Sequence, residues 1–509
     1  MRMLFKFSVF ALLCYITSVA AQTSSGPSSG AVIGSKYPVH NLTQKVDHSS
    51  NSSTTFNQRY QLVTDYFKPG GPILFVQGPE TSLVPIENHD FIDWMEELGA
   101  IVAVLEHRFF GTSTPAEFDG TTASYAPLTL DNVMKDAVAF INFIQKNITG
   151  AANSKTIVGG GSYGGNLALT YRVKHPETFF GSFASAPMTE SFGPLVNNTA
   201  KFRSAEQHQL ITGKLSNIYH DASAEAAAKI KAAMMELYTC ALIGSRLTHA
   251  LGNNCTEAIP DLNFCGTAPN ATQLDALYAT ALSAYRYIPQ FNYPFATTYA
   301  MAYPFQYLIN ATLAASTPAE VLRIPWAMTN WQASLSSCID WSSSNITGQL
   351  DVGVSNSYFY LQCQYYPISE SVVPEGNLLP PSSASTPAKV CANPEYESSI
   401  YNQTNEFFQE YLGTATHIID STTRLIILQG GYDRVAGVGM PDLTLSDDRE
   451  HSRVVFTAGI GHAEDSYPTS FIPLGTRPQL DEVRTMKLEY VKEWLGWYNS
   501  TNVWNATSI

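Results

Sequence analysis

A serine, an aspartate and a histidine in this 509-residue chain each stand just past an apolar run that ends in glycine. Ser162 follows "KTIVGGG", Asp433 follows "LIILQGGY" and His462 follows "RVVFTAGIG". A serine hydroxyl is a weak nucleophile until a base takes its proton, and an imidazole held by a carboxylate is the usual base. The chain order, serine then acid then histidine, is the order in which a strand-turn-helix serine site receives its partners. His417 precedes the strand that leads to Asp433, and His451 sits in the charged stretch "SDDREHSR", which leaves His462 as the best-placed base. In this arrangement Ser162 attacks, His462 moves the proton, and Asp433 fixes the imidazole tautomer and stabilises its cation.

Gly160-Gly161-Ser162-Tyr163-Gly164 fits G-x-S-x-G, which requires a strand, an abrupt turn and a helix. Small neighbours let the serine occupy backbone angles that bulky flanks would forbid. A tetrahedral oxyanion then needs two aimed N–H donors. The backbone amide of Tyr163, next after the nucleophile, supplies one. The second comes from "FVQGPET" (75–81), where Pro79 has no N–H, so Gly78 and Glu80 both remain candidates.

The elements that must position these groups are legible as alternating short apolar runs and amphipathic segments. "PILFVQG" (72–78), "AIVAVLEHR" (100–108), "KTIVGG" and "FFGSFASAP" read as buried strands. "FIDWMEELG" reads as a helix closing at Gly99, and residues 128–147 as a longer helix with Val133, Ala137, Phe140, Ile141 and Ile144 on one face. Such alternation predicts a parallel α/β sheet. It stops near residue 190 and resumes beyond 395, with "YESSIYNQTNEFFQEYL" as a helix, "RLIILQGGYD" and "SRVVFTAG" as strands, and a final helix "LDEVRTMKLEYVKEWLGWY". The expected organisation is a leader over 1–21, an N-terminal extension over 22–55, an α/β domain from 56–189 and 391–509, and an inserted helical lobe over 190–390.

The leader, "MRMLFKFSVFALLCYITSVAA", has basic residues, an apolar stretch and a small-residue end, the order of a cleaved secretory signal. No later run is long and apolar enough to span a bilayer, so no membrane association is expected after cleavage. Past the leader, Cys240, Cys255, Cys265, Cys338, Cys363 and Cys391 form an even set suited to disulfides in an oxidising compartment. No C-x-x-C or paired-histidine spacing points to a metal, and no cofactor motif is present. N-x-S/T acceptors occur at Asn41, Asn51, Asn147, Asn197, Asn254, Asn270, Asn310, Asn345, Asn402, Asn499 and Asn505, as expected of a glycosylated surface. Removing Arg2 and Lys6 with the leader takes the net charge from −14 to −16. Without a basic patch to neutralise phosphates, nucleic acid is excluded as a partner. A secreted or vacuolar or lysosomal setting follows, for a monomer or a homodimer.

Five segments carry a family resemblance: "VLEHRFFGTSTP", "LTLDNVMKDAVAFI", "GGGSYGGNLALTYRVKHPETFFGSFASAPM", "QGGYDRVAG" and "GIGHAEDSYP". Together they resemble the serine peptidase family of lysosomal Pro-X carboxypeptidase and dipeptidyl peptidase II, which has secreted fungal members. The resemblance implies an α/β-hydrolase fold with a helical, disulfide-bearing cap, Ser162, Asp433 and His462 as the triad, and peptide substrates cleaved from an end, often beside proline. It puts His107 and Arg108 in a structural motif, as buried supports of the sheet. The chain departs from the pattern at Asn166, where relatives are often apolar, and at Arg434-Val435, where they commonly have Pro-Trp. Asn166 and Val435 are therefore candidate pocket residues. The acidic loop that holds a substrate amino terminus is only loosely represented by Gln77-Gly78-Pro79-Glu80. An esterase or lipase of the same fold is the alternative, although no H-G-G-G loop is present; a catalytically inactive binding protein is another.

Overall fold

The computed structural model describes residues 35–188, 196–197, 202–203, 205–246, 262, 271–297, 300–329, 338, 356–365, 377–380, 422–438 and 453–497. The leader, Cys255, Cys265, Cys391 and the helix expected at "YESSIYNQTNEFFQEYL" lie outside these residues, as do Asn254, Asn270, Asn345, Asn402, Asn499 and Asn505.

The buried strands of the sequence form one eight-stranded sheet. Its members are β1 (His40–Lys45), β2 (Thr55–Val63), β3 (Ile73–Gln77), β4 (Ile101–Leu105), β5 (Thr156–Gly161), β6 (Phe179–Ser185), β7 (Leu425–Gly430) and β8 (Arg453–Thr457). The spatial order is β1-β2-β4-β3-β5-β6-β7-β8. β2 runs antiparallel to both β1 and β4, and every other pairing is parallel. This corrects the sequence reading in two respects: the sheet is mixed where a parallel one was expected, and the stretch expected to be an extension supplies β1, so the sheet begins by residue 40 and not at 56. β1 alternates exposed and half-buried positions with only Gln44 buried, so its apolar content is too low to signal a strand.

The apolar runs split by period two, as a strand covered on both faces must. Ile73, Phe75, Ile101, Ala103 and Leu105 face one cluster, and Leu74, Val76, Val102 and Val104 face the other. The first face is covered by α2 (Leu130–Asn147) and α3 (Tyr163–Lys174), the second by the short α1 (Phe91–Trp94) and the C-terminal α10 (Pro478–Trp494). Helix α2 starts where the Thr129 side chain accepts the Asn132 N–H, and it buries Val133, Ala137, Phe140, Ile141 and Ile144. Each such side chain contributes about 1.5–3 kcal/mol if an aliphatic or phenyl group is fully withdrawn from water.

Apart from a two-stranded antiparallel pair, Val196–Asn197 with Phe202–Arg203, the regular structure described in the insertion is helical: α4 (Ala205–Ala222), α5 (Ala224–Arg246), α6 (Ala271–Tyr287), α7 (Pro304–Ala314), α8 (Pro318–Thr329) and α9 (Asn356–Tyr365). Residues of α4 to α8 share a core of their own, with Leu378 and Leu379 joining it. Buried tyrosines tie it together: Tyr219 donates to the Tyr285 carbonyl at 2.7 Å, and Tyr285 to that of Val321 at 2.8 Å. Helix α9 does not belong to that core. Tyr358, Leu361 and Tyr365 pack with α2 and α3 on the sheet, so the lobe expected over 190–390 returns to the α/β body before its end. Cys240 is buried in the lobe core, and Cys338 is disulfide-bonded.

Candidate active site

β5 ends at Gly161 and α3 begins at Tyr163, so Ser162 alone makes the turn, at φ 57° and ψ −121°. An L-residue reaches those angles at a cost of order 1–3 kcal/mol, and persists there only when the surroundings fix it. Here they do. The Ser162 N–H donates to the Ser185 carbonyl at 2.9 Å, and its own carbonyl accepts the Asn166 N–H at 3.0 Å. A Cβ on Gly160 would lie 2.3 Å from the Gly164 carbonyl oxygen, so no larger residue fits beneath the turn. The Ser162 hydroxyl is buried and makes no hydrogen bond. Tyr163 opens the helix, where amide groups have no partner within the helix itself.

The acid and the base meet across β7 and β8. His462 Nδ1 lies 2.5 Å from Asp433 Oδ2, with both side chains fully buried. The other carboxylate oxygen accepts the Val435 N–H at 3.0 Å, so the aspartate is oriented at both ends. The histidine loop is held chiefly by groups distant in sequence. The His462 N–H donates to the Gln290 carbonyl at 2.9 Å, and the Tyr293 hydroxyl donates to the His462 carbonyl at 2.7 Å. Glu464 accepts the Gly461 N–H at 2.6 Å and pairs with Arg477, whose guanidinium also reaches the carbonyls of Gly459 and Asn292. Burial pushes the Glu464 carboxyl up to about 7, against the opposing pull of Arg477. The loop reaches the serine turn: a Cβ on Gly161 would meet the methyl of Ala463 at 2.9 Å. Together, Gly160, Gly161, His462, Ala463, Val76, Gln77 and Tyr293 line one cavity.

The remaining expected positions divide. Gly78 donates its N–H to the Leu105 carbonyl at 3.1 Å, so that amide belongs to the sheet, and Glu80 is the candidate left in the 75–81 loop. Asn166 is buried one turn beyond Ser162, with neither amide atom hydrogen-bonded. Val435 packs with Met188, Ile211 and Tyr287 and does not line the cavity. His107 and Arg108 act as supports. Arg108 holds Asp136 with two nitrogens and donates to the carbonyls of Lys45, Val46 and Pro127. His107 Nδ1 donates to the Arg108 carbonyl at 2.7 Å, so its Nε2 accepts from the Tyr163 hydroxyl at 3.0 Å. Burial lowers His107 to about 4, which keeps the ring neutral for that role. Among the described residues no group of histidine, cysteine and acidic side chains could hold a metal, and no helix is long and apolar enough to cross a membrane. Asn41, Asn51, Asn147 and Asn310 are exposed; the side chain of Asn197, like that of Cys363, is not among those described.

Sequence reasoning missed the partners of the histidine loop. "QFNY" (290–293) carries no pattern that marks it, because its function is to offer a carbonyl and a phenol to a loop 170 residues away. A strand-turn-helix serine on a sheet of this order, with an Asp–His pair past its last two strands, defines an α/β hydrolase. Residues 44–361 match the serine carboxypeptidase S28 family, and the chain belongs to it. It is 36% identical over 167 residues to the lysosomal Pro-X carboxypeptidase of Bos taurus, covering 32% of this chain and 34% of that protein. It is 29% identical over 175 residues to a probable extracellular serine carboxypeptidase of Arthroderma benhamiae, covering 31% of this chain and 24% of that protein. The matched stretches thus span about a third or less of these two relatives. Among solved structures, the proline iminopeptidase of Mycobacterium smegmatis aligns with 90% of this chain and 100% of its own, at 11% identity and a TM-score of 0.41.

Proposed function

We propose that the protein is an exported serine exopeptidase that hydrolyses peptides through an acyl-enzyme on Ser162. The observation that carries this reading is the buried 2.5 Å contact between His462 and Asp433, on a loop packed against the strained serine turn. With its Nδ1 proton directed at Asp433, His462 presents Nε2 as the base. It takes the Ser162 proton as the hydroxyl oxygen attacks the scissile carbonyl, then returns it to the leaving amine. The Tyr163 amide, with that of Glu80, stabilises the oxyanion. Water then repeats the sequence against the acyl-enzyme and regenerates Ser162.

The relatives' names, lysosomal Pro-X carboxypeptidase and probable extracellular serine carboxypeptidase, support release of residues from a carboxyl end in an exported compartment. Asn166 bears on selectivity. Its buried amide, with neither polar atom hydrogen-bonded, leaves up to four hydrogen-bonding sites for a partner. Val435 helps to build the wall behind Asp433. Treatment with a fluorophosphonate probe, followed by profiling on a mixed peptide library, tests the reading. Labelling that disappears in Ser162→Ala, with amino acids released from carboxyl ends, is the expected result. Labelling with ester turnover alone would make the protein an esterase, and no labelling would remove the enzyme reading.

A further inference from the structure

A second imidazole shares the cavity with His462. His89 is 5% exposed, lines that cavity, and lies against the strand that carries the nucleophile. A Cβ on Gly159 would sit 3.3 Å from its Cε1, and its ring meets Phe91 edge-on at 4.7 Å. The two ring nitrogens have different surroundings. Nδ1 accepts the Phe91 N–H at 3.4 Å, so a neutral ring carries its proton on Nε2; Asp90 Oδ1 lies 2.8 Å from Nδ1. Nε2 is buried and makes no hydrogen bond.

The anchor behind His89 is charged and rigid. Asp90 pairs with Lys487 at 2.7 Å, and Lys487 also reaches Asp465, which accepts the Ser185 hydroxyl. The Lys487 ammonium and the neighbouring imidazole hold the Asp90 carboxyl below its ordinary range despite burial. The cavity's other polar side chains are engaged elsewhere. Gln77 bonds Tyr171 and the Gly78 carbonyl, Tyr293 bonds the His462 carbonyl, and Ser466 bonds that of Ala463.

What would meet Nε2 follows from the position of His462. The leaving amine must lie beside His462, which protonates it. If the leaving residue is the C-terminal one, its carboxylate carbon lies about 2.5 Å from that nitrogen, separated by a single Cα. The cavity volume, about 30 Å³, holds roughly two water-sized groups, the size of two carboxylate oxygens. We propose that His89 anchors the terminal carboxylate of the peptide, its Nε2–H donating to one oxygen in the cavity beside His462. This rests on the exopeptidase reading above and makes it specific for the carboxyl end.

The test measures binding, so it does not depend on turnover. In Ser162→Ala protein, the affinity for N-acetyl-Ala-Pro-Phe is compared with that for the same peptide amidated at its C-terminus. The free acid should bind roughly 10- to 100-fold more tightly, the range of a hydrogen bond to a charged group. Adding His89→Gln should erase that difference by weakening the acid and leaving the amide unchanged. Equal affinity for acid and amide before His89 is altered would overturn the proposal, and this comparison needs no second variant to fold. An acid preference that survives His89→Gln or His89→Asn would also overturn it. Failure of the exopeptidase reading shows separately, as absence of fluorophosphonate labelling at Ser162 in the unaltered protein.

Discussion

The serine turn and the histidine loop face each other across one cavity but are built in opposite ways. The turn is held by its own surroundings: the strand before it, the helix after it, and the neighbouring strand β6 through the Ser185 carbonyl. The loop depends more on distant groups, Gln290 and Tyr293 from the helical lobe, alongside Asp433 on the neighbouring loop and Arg477 at the start of α10. The Ser162 turn is thus set largely by residues close to it in the chain, whereas the His462 loop leans on the insertion through Gln290 and Tyr293.

The largest effect should come from the contact that joins the two halves. Asp433→Asn keeps the shape but replaces an acceptor oxygen with an N–H₂ donor or a weaker carbonyl, so His462 loses its tautomer and its cation loses its counter-charge. Turnover should fall by about 10⁴-fold with an unchanged melting temperature. Measurement of kcat on a chromogenic peptide together with a thermal melt checks this. Near-normal turnover would move the acid to another residue.

Alanine scanning of glycines distinguishes the two constructions next. At Gly160 the new Cβ would meet backbone of the same turn at 2.3 Å, with no side chain able to yield. Gly160→Ala should cost about 3 kcal/mol or more in stability, read as a lowered denaturant midpoint. At Gly461 the new Cβ would meet the Gln290 carbonyl at 2.7 Å and the Tyr293 ring at 3.1 Å, both on a segment of the lobe. Displacement of that segment relieves the clash, so Gly461→Ala should lose less stability and proportionally more activity. The reverse ranking would mean that the lobe is the rigid partner.

How much of this was legible follows the same division. Ser162, Asp433 and His462 could be singled out as candidates because each is announced locally, by an apolar strand and glycines just before it. The central parallel strands were equally plain, since burial on both faces makes them continuous apolar runs. β1 escaped because an edge strand facing solvent carries little apolar signal, and Gly78 remained open because an amide's partner cannot be inferred from the amide's own position. Gln290 and Tyr293 act on the His462 loop across roughly 170 residues, and nothing beside them in the sequence marks the role.

The charged tie of the histidine loop should make stability depend on pH. The Glu464 carboxyl is raised to about 7 in the folded chain, from an ordinary value of 4.5. Between these values the folded state keeps a proton that the unfolded state has lost, so this group's contribution to stability falls as pH rises from 4.5 to about 7. Each pH unit across that window removes up to about 1.4 kcal/mol. Denaturant melts of the protein and of Glu464→Gln at intervals from pH 4 to 8 isolate the effect, because the other titrating groups are common to both. The difference between the two should shift in favour of the glutamine variant as pH rises, and a constant difference would show that folding leaves the Glu464 pKa unshifted.

The smallest effect tests the lobe's hold on the base most directly. Tyr293→Phe removes one hydroxyl, the donor to the His462 carbonyl, and keeps the ring that packs on Phe295 and Tyr467. A neutral hydrogen bond contributes about 0.5–1.5 kcal/mol, so kcat should drop roughly 2- to 10-fold if the bond serves mainly to aim the imidazole. The Gln290 carbonyl still holds the His462 amide in that variant, which limits the loss. A decrease in kcat with KM little changed and the melting temperature within a degree or two would assign the phenol to positioning. An equal loss in stability with kcat intact would make it a strut for the fold, and the lobe would then reach the base through Gln290 alone.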